Sequence, residues 1–136
     1  MSTAPPKPIL NTSLPSQFRQ IRLELAREPG HPEGDAAIAY VIVAPLDSDG
    51  RINPKLWREH RDACRIARLR PDEDDKRGHL VHRPGGGWAL HYDGEARPDD
   101  VGFHFADECF VPGEYVSINE AGKMHTYRVT AASRLR

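Results

Sequence analysis

Period-two alternation of apolar and polar residues dominates the chain. In RQIRLELARE, Ile21, Leu23 and Leu25 alternate with Arg22, Glu24 and Ala26, the pattern of a strand buried on one face. AAIAYVIVAP is apolar at both parities, which predicts a strand covered on both sides. From residue 64 onward, similar runs recur about every ten to twelve residues: CRIARLR, GHLVHR, WALHY, VGFHFA, EYVSIN and MHTYRV. Their separators are PDEDDKR, PGGG, DGEARPDD, the DECFVPG corner and EAGK, all rich in turn formers. Such spacing predicts a mainly β fold, an antiparallel meander of seven to eight strands closing as a small barrel or folding as a sandwich.

One helical signal interrupts the strands, near residues 54–64. Asn53 is placed to cap it, Pro54 fits the first helical position, and Leu56, His60 and Ala63 share a face. The helix is expected to end near Cys64. CRIARLR can extend it, but Ile66 and the terminating Pro71 tilt that segment toward a strand.

Two hairpins allow a register to be written down. Pairing HLVHR with WALHY across a four-residue PGGG loop sets Arg83 opposite Trp88, Val81 opposite Leu90 and His79 opposite Tyr92. Val81, Trp88, Leu90 and Tyr92 then form a core stripe, while His82 and His91 share the other side. Pro84, Gly85 and Gly86 supply the turn, and Trp88 anchors the stripe. Counting back from EAGK, Val116 faces Tyr127 and Ile118 faces His125, with Val129 on the same side and Tyr115, Ser117, Thr126 and Arg128 opposite. His125 is thereby drawn toward an apolar face.

Composition sets the boundaries of this picture. With 136 residues the chain is read as one domain over 18–136, large enough to fold without disulfides. Residues 1–17 hold four prolines and little periodicity, and are read as a disordered arm. A net charge of -1 offers no general attraction to nucleic acid or anionic membranes. No apolar run is long enough to span a bilayer, so a cytoplasmic location is expected. Cys64 and Cys109 are then expected to be thiols, with no disulfide between them.

Candidate chemistry is sparse. His82, His91 and His104 form a candidate metal set, since neutral imidazoles suit zinc, copper, nickel or iron, although no HxH, HExxH or CxxC occurs. Arg58, Arg61, Arg65 and Arg68 line one stripe if the helix runs that far, and could contact phosphates. PGGGW lacks the helix and the lysine of a phosphate-binding loop, so its glycines read as structural. LDSDG resembles the start of a calcium loop, but counting from Asp47 places Arg58 where the closing glutamate belongs. FVPGEYVSIN resembles the second cupin motif in its corner. Val116 stands where that motif has histidine, so no metal ligands carry over.

APLDSDGRI, PGGGW and FVPGEYVSI…MHTYRV resemble segments of a family of small uncharacterised bacterial proteins, over roughly residues 21–130. The resemblance implies a compact bacterial domain and brings no activity, cofactor or catalytic residue with it. Without an assembled catalytic motif, the function expected is a non-catalytic binding or interaction module. Its partner would be a small molecule or a protein, held at a barrel mouth or sheet face. The competing readings are a metal-binding or enzymatic barrel using the histidines, and nucleic-acid contact through the arginines.

Overall fold

The computed structural model describes residues 11–94 and 96–135. Eight strands form a closed antiparallel barrel in which each strand pairs with its neighbours in sequence and β8 returns to β1. They are β1 (Phe18–Leu25), β2 (Asp35–Pro45), β3 (Arg65–Arg70), β4 (Glu73–His82), β5 (Trp88–Tyr92), β6 (Asp100–Phe103), β7 (Tyr115–Glu120) and β8 (Lys123–Arg134). The alternative between barrel and sandwich is thus resolved as a barrel. Closure leaves no free sheet edge.

The single α-helix among the described residues, α1 (Pro54–Glu59), starts as expected: Asn53 Oδ1 accepts the Leu56 amide, with proline in the first turn. It is shorter than expected. His60 breaks it, a 3-10 turn follows over Arg61–Ala63, and 65–70 is a strand. PDEDDKR is mostly strand as well, because β4 begins at Glu73 and leaves only Pro71 and Asp72 as the turn.

Of the arm expected over 1–17, residues 1–10 lie outside the described residues. Asn11–Gln17 contacts the barrel: Leu14 packs against the core and the Leu46 amide donates to Gln17 O.

Inward positions follow from the register. Ile21 sits beside Ile42, Ile42 beside Ile66, and Ile66 beside Gly78, while Leu80 faces Leu90 and Val116 faces Tyr127. The final hairpin has the register read from the sequence, and Val116, Ile118, Tyr127 and Val129 are buried while Tyr115 is exposed. The hairpin around PGGG is shifted by one residue. His82 pairs with Trp88, Leu80 with Leu90 and His79 with His91, so Leu80 takes the core place expected for Val81. The cause is the turn. Arg83 N–H donates to Gly87 O, so only Pro84, Gly85 and Gly86 lie between the closing residues. Proline followed by Gly85 at φ 92° suits a type II turn. A slip of one residue moves every side chain to the other face.

The barrel has two unlike ends. At one, α1 and the loop 104–114 lie across the opening. Trp57 donates its indole N–H to Leu80 O at 2.9 Å and meets Trp88 edge-on at 5.4 Å, while Phe105 and Phe110 pack edge-on at 5.0 Å. Gly102 has no room for a side chain because the Phe105 ring lies where its Cβ would be. The other end carries the turns 71–72 and 121–122, the longer loop 26–34 and the connection from β5 to β6.

Candidate functional site

Alternation in β3 decides what fills this second end. Ile66 points inward, so Arg68 and Arg70 do too, and their side chains keep only 11% and 12% exposure. Tyr40 lies abreast of Arg68 on β2. Across the barrel, Asp100 sits beside Leu90 and is 2% exposed, the one buried charged residue among those described. Glu120 and Tyr127 complete the ring from β7 and β8.

These groups hold one another in two sets. Tyr40 and Tyr92 both donate to Asp100 Oδ2, at 2.8 and 2.5 Å. Arg70 Nη2 donates to Glu120 Oε1 at 2.5 Å and to Tyr127 Oη at 3.0 Å, and Tyr127 donates to Glu120 Oε2 at 2.7 Å. The Arg70 guanidinium also stands over the Tyr40 ring at 5.3 Å, and Arg97 over Tyr92 at the same distance. Arg68 pairs with Glu73 at the rim.

Burial pushes all three phenols far above their usual range. The neighbouring Tyr92 and Glu120 add to this for Tyr40, the hydrogen bond to Asp100 for Tyr92, and Glu120 for Tyr127. At neutral pH they are therefore fixed donors. Burial works against the charge of Arg68, but Glu73 outweighs it. Two donors remain without a partner among the described residues: Arg68 Nε and Arg97 Nε, both buried. Arg68 Nε comes only within 3.9 Å of Glu120 Oε1.

The residues singled out from the sequence are scattered. His82 faces inward at the apolar end, stacked on Trp88 at 4.2 Å. His91 is on the outer surface with its Nδ1 2.9 Å from Asp99 Oδ1. His104 lies exposed in the loop after β6, stacked on Phe103 at 4.0 Å. No three of the described His, Cys, Asp or Glu residues are arranged to hold a metal. The arginine stripe does not form, because the helix stops at Glu59. Arg58 stays on α1, Arg61 covers the Trp57 ring at 4.9 Å, Arg65 is exposed on β3, and Arg68 turns inside. His125 does face Ile118, yet it meets the Glu28 carboxylate at 2.9 Å instead of an apolar pocket. Asp47 closes a turn, its Oδ1 accepting from the Asn53 side-chain Nδ2 at 2.8 Å.

Pro84, Gly85 and Gly86 form the turn expected of them, and Trp88 is 1% exposed. Missed from the sequence were Arg70, Arg97, Asp100 and Glu120. For Arg70 the signal was present, since an inward Ile66 in RIARLR commits both 68 and 70. A separate outer groove of about 650 Å³ runs under the 26–34 loop, lined by Glu24, Arg27, Glu33, Asp35, Tyr115 and Arg128. It holds none of the candidate metal-ligand or phosphate-contact residues read from the sequence. No protein-family model, curated protein or solved structure matches the chain.

Proposed function

We propose that the protein is a non-catalytic binding module that takes a small oxyanion, a carboxylate or phosphate group, at the polar mouth of its barrel. The observation that carries this reading is the pair of buried guanidinium Nε–H donors, Arg68 and Arg97, without partners in a mouth ringed by protonated phenols. A buried donor left unsatisfied costs about 1–3 kcal/mol, more when charged, and an anionic acceptor removes that cost. Eight-stranded barrels have interiors that side chains fill or that hold one small ligand, and here the ligand would sit at the polar mouth above the filled core. Arg68 pairs with Glu73 at the start of β4, and Arg97 stands over the Tyr92 ring at the end of β5, so both lie at the same end of the barrel.

The outer wall carries Arg22, Glu24, Arg65 and Arg128, a surface suited to water and costly against lipid. Among the described residues no helix is long and apolar enough to cross a membrane. The free thiols Cys64 and Cys109 fit a reducing, cytoplasmic compartment. Burial pushes the Cys64 thiol up to about 12, which makes it inert.

Calorimetry and thermal shift with acetate, a dicarboxylate and inorganic phosphate test the proposal. At least one should bind and raise the melting temperature. Arg68→Gln and Arg97→Gln should each weaken it about tenfold, the loss of one charge-assisted bond. Arg65→Gln, on the same strand but facing outward, should leave it unchanged. Equal losses from Arg65→Gln, or no stabilising anion at all, would overturn the reading.

A further inference from the structure

The one-residue shift in the β4–β5 register brings His79 directly opposite His91, with both outside the barrel because Leu80 and Leu90 face in. Side chains paired this way have Cβ atoms about 4.5–5.5 Å apart, within the span over which two imidazoles can share an ion. Each ring is also held at the same atom. His91 Nδ1 lies 2.9 Å from Asp99 Oδ1, and His79 Nδ1 lies 2.8 Å from Asp93 Oδ2. Carboxylates at Nδ1 orient the ring and favour the tautomer that presents Nε2 as the free ligand atom, the arrangement found behind metal-ligating histidines. Asp99 is anchored in turn by Arg83 at 2.9 Å. Both rings are accessible, with side-chain exposures of 36% and 51%. Around them the charges balance: Arg65, abreast of His79, and Arg83 against Asp93 and Asp99.

We infer that His79 and His91 form a two-histidine chelate on the outer wall of the barrel for a first-row divalent transition ion, with water completing its coordination. The Nε2 atoms are the ligands, and Asp93 and Asp99 position them. Imidazole pairs favour copper, nickel and zinc over magnesium or calcium, with copper held tightest. The site is distinct from the polar mouth and stands whether or not an anion binds there.

The test is calorimetric titration of the full, tag-free chain with Cu²⁺ at neutral pH. One ion should bind per chain, and His79→Gln and His91→Gln should each weaken it by at least about tenfold, with the double variant little worse than either, as one chelate requires. Asp99→Asn should weaken it by about tenfold through loss of orientation. His104→Gln should change nothing. Both positions face solvent, so circular dichroism of the variants should match the parent. Unchanged affinity in the double variant, or an equal loss with His104→Gln, would overturn the assignment.

Discussion

The two ends of the barrel solve opposite problems with one register. At the end covered by α1, Trp57, Trp88, Phe105 and Phe110 are packed edge to face and buried, and the longest connections of the chain are spent covering them. At the other end, Tyr40, Arg68, Arg70, Asp100, Glu120 and Tyr127 are drawn inside, where burial is favourable only because nearly every polar atom has a partner. The apolar end supplies stability through packing that does not depend on charge. The polar end holds groups that an apolar core would have made unnecessary, and its two unpartnered donors are where a ligand would be recognised.

The comparison is broken most severely at Trp88. Trp88→Ala removes a 1%-exposed indole flanked by Trp57 and His82, and should cost about 3–5 kcal/mol in urea unfolding. Anion binding at the far mouth should survive in the folded fraction. A cost below about 1 kcal/mol would mean that the covered end is not where the stability lies.

Next in size is the opposite end. Glu120→Leu leaves Arg70 and the Tyr127 hydroxyl facing a side chain that cannot accept, and should cost about 3 kcal/mol. The double change Arg70→Met with Glu120→Leu should recover most of that loss, because it removes both ions together. If the single change is as mild as a surface substitution, the mouth is solvated and the contrast between the ends disappears.

The sequence made these ends unequally legible. Val116, Tyr127 and Val129 were placed correctly because Ala121 and Gly122, both at positive φ, form a two-residue turn whose length fixes the register. PGGG offered two lengths, and counting four instead of three put Val81 inside and Leu80 outside. That single count also separated His79 from His91. The polar mouth was hidden for a different reason. Its bonds join Tyr40 to Asp100 and Arg70 to Glu120, 60 and 50 residues apart, and only closure of the barrel brings them together. RIARLR leans toward a strand in the sequence, but its arginines also read as a helical stripe until the Pro54–Glu59 helix is seen to stop short.

The smallest effect is absent at neutral pH and appears only in alkali. The folded state holds Tyr40, Tyr92 and Tyr127 well above their ordinary range through burial first and through the neighbouring carboxylates second. A group whose folded value is raised contributes stability that is intact below its unfolded value, about 10 for tyrosine, and is lost as pH rises beyond it. The three phenols should therefore leave stability flat through neutrality and drive unfolding above about pH 10. In a Tyr115→Phe background only these three report, so phenolate absorbance should rise together with the loss of the far-ultraviolet β signal. Replacing Tyr40 by phenylalanine should soften the alkaline fall, because one of the groups that must ionise is gone. If phenolate forms while the sheet signal is intact, water reaches the ring of tyrosines, and the polar mouth is an open funnel instead of a buried network.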